Sequence, residues 1–346
     1  MTVGATVGAT GHRVRAWPWV VALLVVAPFL AETVASSNTP LPLFPLVLPL
    51  FAVVYGCPAL LLREAWVRHR LGPVRLVLAG VAYTALNEGV VAATWFKLAP
   101  GTGKVLAFTA AQAGHLAGVN WAVAANLVVF HLVYSLVVPV AVVHAATVAR
   151  RPALADRAWI GRRGVTVCWV LIALVVLGSL TPAATRRVCA GPAAGSCAAG
   201  RGAAAALVVV LALVLVLWRR PAHRHARRFL LGSSRAQAAV AFAFGVAFFV
   251  SDFGFPLAGL PWVAVATAAV LLVVAVVVLR HWSAGPPVDP HRELVAAAGS
   301  LGAGIIATFA AWPVAQPLAA AIAVAGLALV ARGLSDRRAS GRCLAA

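Results

Sequence analysis

The chain has 346 residues, of which 63% are hydrophobic and only 10% are charged, and its formal net charge is +20. Long runs of Ala, Val and Leu exceed what a soluble core of this size needs, so the composition indicates an integral membrane protein. The basic residues fall in short clusters between the apolar runs, without the interleaved aromatic residues of a nucleic-acid surface. The expected partner is therefore the lipid bilayer, and nucleic acid is excluded.

Ten apolar windows are long enough to cross a hydrocarbon core of about 30 Å at a rise of about 1.5 Å per residue. They cover residues 17–36, 45–62, 74–96, 121–148, 165–181, 203–218, 236–254, 260–280, 294–312 and 314–332. The fold class that we expect is all-α, a polytopic transmembrane helical bundle of about ten spans. The boundary between the last two windows is the weakest, because little more than Pro313 separates them.

The basic residues alternate between the connecting segments, which predicts how the bundle is oriented. Arg-rich stretches lie before the first window, at 63–75, 150–163, 219–235 and 280–292, and after residue 332. The basic residues on the opposite side are Lys97, Lys104, Arg186, Arg187 and Arg201. The excess of positive charge on the cytoplasmic side predicts that both termini are cytoplasmic and that the protein lies in a bacterial inner membrane.

This topology divides the chain into four parts. Residues 1–16 form a cytoplasmic N-terminus, and residues 17–148 form the first four helices, which carry the candidate site. Residues 149–332 form six further helices that we expect to act as scaffold, because several of them consist almost entirely of Ala, Val and Leu. Residues 333–346 form a basic cytoplasmic tail.

Three of the eight acidic residues fall inside predicted spans: Glu32, Glu88 and Asp252. A charge at mid-bilayer costs about 2.5–3.5 kcal/mol on insertion scales, so such residues face the bundle interior, pair or take up a proton. Helix rise places Glu32 and Glu88 about 21–22 Å from the cytoplasmic face and His131 about 15 Å below the outer face. For Asp252, which is close to a Pro/Gly turn, we expect a helix cap or an outer-surface position.

These depths predict an outward-facing polar pocket between the first, third and fourth helices. Its candidate residues are Glu32, Asn87, Glu88, Asn126 and His131. A plainer interpretation stays open for two of them. An intramembrane His such as His131 also serves as a simple hydrogen bonder between helices, and Glu32 is close enough to the outer end of its helix to be an interface residue.

Two further groups of residues have expected structural roles. Cys189 and Cys197 are closely spaced in a segment placed outside the membrane, which predicts a disulfide in an oxidising compartment. Arg63, Glu64 and Arg68 end the second helix, where we expect a solvated ion-pair cluster in contact with anionic lipid. No spacing pattern of metal ligands and no phosphate-binding or nucleophile motif occurs, so we expect no metal and no cofactor.

The segments around Tyr55-Gly56, Arg63-Glu64 and Asn87-Glu88-Gly89, with residues 131–139, resemble a group of multi-pass membrane proteins from high-GC actinobacteria. The resemblance covers about residues 17–148, and it implies the membrane fold without an activity.

A Glu in one span and a His in a later one are also similar to the CAAX-protease and bacteriocin-processing family of intramembrane proteases. That family has a Glu-Glu-x-x-x-Arg motif, and when it is aligned on Glu88 the other two motif positions hold Asn87 and Ala92. This resemblance implies that Glu88 activates water for hydrolysis with help from His131.

The sequence alone therefore leaves three functional hypotheses. In the first, the pocket binds or transports a small solute or a proton, with Glu88 as the titratable group, His131 as its partner and Glu32 as a second acid. In the second, the protein is a glutamate-dependent intramembrane protease with Glu88 and His131 as catalytic residues. In the third, it is a non-catalytic membrane partner of another protein. Whether the protein is an enzyme stays open.

Overall fold

The computed structural model of the protein describes residues 16–36, 39–69, 71–96, 114–189, 194–217, 233–283, 290–311 and 317–339. Within these residues the chain forms ten long helices. They are α1 (Trp17–Ala35), α2 (Leu41–His69), α3 (Pro73–Val91), α4 (Trp121–Arg150), α5 (Arg162–Ser179), α6 (Ala194–Leu217), α7 (Ser234–Asp252), α8 (Pro261–Ser283), α9 (Pro290–Ala311) and α10 (Pro317–Ala339). Shorter elements are the strands β1 (His115–Leu116) and β2 (Val119–Asn120), which pair antiparallel, and the helices Thr94–Phe96, Pro152–Leu154, Pro182–Val188 and Phe255–Leu257.

The described residues contain nine helices that are long and apolar enough to cross a membrane, namely α1 to α8 and α10. The all-α, polytopic architecture expected from the sequence is confirmed. Helix α9 covers the ninth predicted window with 22 residues but is not among the nine, so the count of ten spans stays a prediction. The side of the membrane on which the termini lie also stays a prediction.

Local sequence explains where several helices begin. Helices α8, α9 and α10 each start at a proline, whose fixed φ suits the first turn and whose missing N–H is not needed there. Helix α4 starts after Asn120, whose side chain accepts a hydrogen bond from the Val123 N–H at 3.1 Å.

Helix α10 continues to Ala339, so the predicted tail from residue 333 begins as part of this helix. Residues 1–15 and 340–346 of the predicted termini lie outside the described residues.

Five of the long helices contain a π-helical turn, in which the hydrogen bonds run from residue i to i+5. The five turns are Phe29–Ala35 in α1, Ala52–Gly56 in α2, Ala85–Val91 in α3, His131–Val137 in α4, and Val250–Gly254, which begins in α7 and runs past Asp252. Such turns account for well under about 1% of residues in globular proteins and are frequent at functional sites. Each one changes the face that the rest of its helix presents to its neighbours.

Helix α4 lies at the centre of the bundle and packs against α1, α2, α3, α7, α8, α9 and α10. Helices α7 and α9 approach each other closely through small residues. A Cβ added to Gly299 would lie 2.4 Å from the Ala238 carbonyl oxygen, and one added to Gly245 would lie 2.6 Å from the Ala303 Cβ. Small residues at such crossings let two membrane helices pack backbone to backbone.

Candidate functional site

A carboxylate and an imidazole meet between α3 and α4. The Oε1 atom of Glu88 lies 2.9 Å from the Nε2 atom of His131, and the Nδ1 atom of the same ring lies 2.8 Å from the Ser135 hydroxyl oxygen. Both ring nitrogens are thus in hydrogen bonds, and which of them donates depends on the tautomer. Glu88 and His131 both lie in π-helical turns, so these two turns face each other across the contact.

The hydrogen bonds continue from Glu88 to α2 and α1. The Asn87 amide nitrogen donates to Glu88 Oε1 at 3.1 Å and to the Tyr55 hydroxyl at 3.5 Å, which is the longest link. The Tyr55 hydroxyl donates to a carboxylate oxygen of Glu32, and the Thr94 hydroxyl donates to Glu88 Oε2. We call this set the polar cluster; it consists of Glu32, Tyr55, Asn87, Glu88, Thr94, His131 and Ser135.

The polar cluster is enclosed by protein. Glu32 and Glu88 are each 7% exposed and His131 is 1% exposed. Three aromatic rings surround the imidazole, with centroids 5.3 Å away for Tyr83, 5.4 Å for Phe130 and 6.0 Å for Tyr55. Four of the five predicted pocket residues, Glu32, Asn87, Glu88 and His131, therefore meet in one buried cluster. Asn87 also lines a small cleft beside Tyr83 and Leu86.

The two carboxylates of the polar cluster are in hydrogen bonds with hydroxyl groups, an amide and an imidazole. A buried carboxylate without a fixed cation stays charged only if such donors compensate for its lost hydration; otherwise it takes up a proton. Phenol, carboxylic acid, imidazole and hydroxyl groups can each give and accept a proton. The Asn87 amide cannot do so readily, so it divides the cluster into a Glu32–Tyr55 part and a Glu88–His131–Ser135 part.

Asn126, the fifth predicted pocket residue, belongs to a different network. Its Oδ1 atom accepts a hydrogen bond from the Ser251 hydroxyl at 2.9 Å, and its Nδ2 atom donates to the Ala122 carbonyl at 3.0 Å. The Ser251 hydroxyl oxygen also lies 3.0 Å from the carbonyl oxygen of Ala264, so this network ties α4 to α7 and α8. Asn126 precedes His131 by five residues, which on a helix places the two about 140° apart.

The ion-pair cluster at the end of α2 was predicted to be solvated, which is wrong for Arg63 and Glu64, each only 2% exposed; Arg68, which is 32% exposed, pairs with Glu64 at 3.3 Å as expected. Arg63 and Glu64 pair at 2.8 Å, and the backbone N–H of Trp159 donates to Glu64 at 2.8 Å. The guanidinium group of Arg63 lies 3.7 Å from the centroid of the Trp159 ring and donates to the Ala155 carbonyl at 2.7 Å. The segment between α4 and α5 therefore folds over the helix end and excludes solvent.

Sequence reasoning treated Arg201 as a loop charge, yet it is 1% exposed within α6. Its Nε atom donates to the Val90 carbonyl at 2.8 Å, its Nη1 atom to the Thr185 hydroxyl at 2.9 Å and its Nη2 atom to the Ser179 carbonyl at 2.7 Å. The two carbonyls belong to the C-terminal ends of α3 and α5, where helix dipoles favour a cation. The only feature of the sequence that could have indicated this buried position was a single Arg among Gly and Ala residues.

Cys189 and Cys197 are joined by a disulfide with a Cα–Cα distance of 5.6 Å. This bond connects the short helix Pro182–Val188 to α6, four residues before Arg201. In the described part of the chain, no three His, Cys, Asp or Glu side chains are grouped so that they could hold a metal ion.

No curated protein and no solved structure matches the chain. A family model described as an uncharacterised membrane protein family matches residues 21–337, a range that includes every residue of the polar cluster. The match spans most of the chain and agrees with the membrane helices described above. The chain belongs to this uncharacterised family of membrane proteins.

Proposed function

We propose that the protein takes up protons at the polar cluster and moves them through the membrane, with or without a small solute. The observation that carries the proposal is the 2.9 Å contact between Glu88 Oε1 and His131 Nε2, buried between two membrane helices. In the proposal Glu88 is the titratable acid, His131 is its proton partner and Glu32 is a second acid.

A buried carboxylate and imidazole at this distance can exchange a proton with almost no movement of heavy atoms. Ser135 holds the other ring nitrogen at 2.8 Å, so the orientation of the imidazole is fixed while the proton moves. Ionisable groups inside a membrane are costly, and where they occur they mark ion pathways and proton relays. Two such acids, each in a hydrogen bond with a group that can give and accept a proton, support a role in proton exchange over a role in packing alone.

The π-helical turns support the movement that transport requires. The residues of the polar cluster on α1 to α4 lie in such turns, while Thr94 lies just after α3. A π-helical turn that reverts to an α-helical one rotates the following part of the helix, so each turn can act as a hinge. A protonation event at Glu88 that alters the contact with His131 would therefore act on two hinges at once.

Glutamate-dependent hydrolysis is the second candidate, and the same contact favours it, since Glu88 would activate water and His131 would assist. In the present arrangement, however, both oxygens of Glu88 are in hydrogen bonds with protein groups, namely Asn87, His131 and Thr94. Water would have to displace one of them. In the third candidate, a non-catalytic partner protein, the cluster would serve helix packing only.

Infrared difference spectroscopy on the reconstituted protein tests the proposal without knowledge of the solute. A change of pH should change the carbonyl band of a protonated carboxylic acid, and the Glu88→Gln variant should lose this change. Glu293→Gln is the matched control, because Glu293 is also 7% exposed and also pairs with a histidine, His144, at 2.8 Å. That variant should retain the Glu88 signal.

Proton uptake then tests the function itself. Proteoliposomes that contain a pH-sensitive dye and carry an imposed potassium diffusion potential should acidify with the wild type and with Glu293→Gln. They should not acidify with Glu88→Gln or His131→Ala. Proton uptake by Glu88→Gln at the wild-type rate would overturn the proposal, and cleavage of a membrane peptide that depends on Glu88 would favour hydrolysis instead.

A further inference from the structure

An opening among the described helices lies on the other side of α4 from the polar cluster. It is a groove between α4, α7, α8 and α9. Its volume is about 750 Å³ when the part that is open to the surroundings is counted. Most of its wall is apolar, with Val137, Ala141, Ala241, Phe244 and Leu279 among the lining residues. We call it the apolar groove. None of the residues of the polar cluster lines it.

One acidic side chain, Glu293 on α9, lines the apolar groove, and no other described residue of its wall is ionisable. Glu293 is 7% exposed, and its Oε2 atom lies 2.8 Å from Nδ1 of His144 on α4. The polar lining residues besides it are Gln237 and Ser300. A wall of this kind, apolar with a few convergent polar groups, is typical of sites for small molecules.

We infer that the apolar groove binds a lipophilic cation, an amphiphile whose apolar body fills the groove and whose positively charged nitrogen approaches Glu293. The apolar wall favours a ligand that gains by leaving water, and the single carboxylate selects its charge. An anion in the same place would face Glu293 in a medium of low dielectric constant, where like charges repel strongly.

A bound cation would replace His144 as the partner of Glu293. The His144 side chain is 23% exposed, more than three times as much as that of Glu293, so it has contact with the surroundings. An incoming cation would take the place of the ring beside Glu293, and the ring, as the more exposed member of the pair, would turn towards the surroundings. The apolar groove uses a different carboxylate and shares only α4 with the polar cluster, so the inference does not rest on the proposed proton exchange.

Binding of a matched pair of amphiphiles tests the inference. Decyltrimethylammonium and decanesulfonate have the same chain length and opposite charge. With the full-length protein in lipid nanodiscs, radiolabelled decyltrimethylammonium should bind saturably above the level of empty nanodiscs, and excess unlabelled cation should displace it. Decanesulfonate at the same concentration should not displace it. Equal displacement by the two compounds would overturn the inference.

Two variants locate the binding. Glu293→Gln keeps the size of the side chain and should weaken binding of the cation about tenfold or more, since a charge pair in a desolvated site is lost. Ala241→Phe should abolish binding by filling the apolar groove while the carboxylate stays in place. Glu88→Gln is the control and should bind as the wild type does. Wild-type affinity in Glu293→Gln or in Ala241→Phe would contradict the inference.

A photoreactive alkylammonium gives a test that needs no variant. On the wild-type protein it should label peptides from α4, α7, α8 and α9, and excess decyltrimethylammonium should suppress this labelling. Labelling confined to α1, α2 and α3 would overturn the inference even if both variants failed to fold.

Discussion

Arg201 shows how a single side chain can hold several helix ends together. Its three guanidinium nitrogens reach the end of α3, the end of α5 and the short helix Pro182–Val188, each at 2.9 Å or less. If the guanidinium were removed, two buried carbonyls would lose a charged donor, and hydrogen bonds to charged groups contribute about 1.5–3 kcal/mol each. Arg201 therefore stabilises the fold, although its position near the start of α6 does not by itself suggest this.

We predict that Arg201→Ala lowers the free energy of unfolding by about 3 kcal/mol. The measurement is equilibrium unfolding in mixed micelles of a mild detergent and dodecyl sulfate. Arg187→Ala is the matched control, since Arg187 is a nearby exposed basic residue, and it should change stability little. A similar loss in both variants would show that net charge, and not the three hydrogen bonds, is responsible.

The single residues of the polar cluster were only partly predictable. Glu88 and His131 were found because ionisable residues are rare in apolar windows and their depths agreed. Tyr55 was missed, since a Tyr in a membrane helix has no cost that demands a partner. Asn126 was assigned by depth alone, and depth ignores the direction in which a side chain points. Arg63 and Glu64 were misjudged because their burial depends on Trp159, about 95 residues later.

The π-helical turns are the elements that bring the polar cluster together. Glu88 lies in the middle of Ala85–Val91, where the extra residue of the turn sets its direction relative to Pro73–Thr84. If that residue were removed, the regular helix would turn Glu88 by about 100° away from its present direction. The side chain would then no longer reach His131.

We predict that deletion of Leu86 removes the infrared signal of Glu88 and the proton uptake, while circular dichroism shows that the helices are retained. Leu86→Ala keeps the number of residues and is the control, and it should keep both properties. Normal proton uptake in the deletion variant would mean that the π-helical turn in α3 is not required for the contact between Glu88 and His131.

The positions of the long helices were predicted well from the sequence, and the π-helical turns within them were not. Hydropathy located the long helices because each needs about 20 apolar residues. It ended the second apolar window at residue 62, and α2 continues from there to His69 with Arg63 and Glu64 in a buried ion pair. The π-helical turns could not be predicted, since they have the same apolar composition as the α-helical turns beside them and arise from packing between helices.

At the scale of the whole molecule, α4 joins two sites of similar chemistry. One face carries His131 with Glu88, and further along the helix His144 pairs with Glu293. Thirteen residues separate the two histidines, which corresponds to about 20 Å along a helix. The later helices were predicted to be scaffold; α7 to α9 pack against α4 and supply Glu293 and the apolar groove. Movement of α4 would therefore act on both sites.

The orientation of the whole bundle is the last prediction. Charge on the connecting segments predicts that both termini lie in the cytoplasm, and the disulfide between Cys189 and Cys197 predicts that the connection between α5 and α6 faces an oxidising compartment. Both predictions hold together, because an odd number of spans, α1 to α5, separates the N-terminus from this connection. Green fluorescent protein fused to either terminus should fluoresce, and alkaline phosphatase inserted after residue 192 should be active. Active phosphatase at the N-terminus would contradict the charge rule for this chain and reverse the predicted outer position of Arg201, whereas activity at the C-terminus alone would mean that α9 does not cross the membrane.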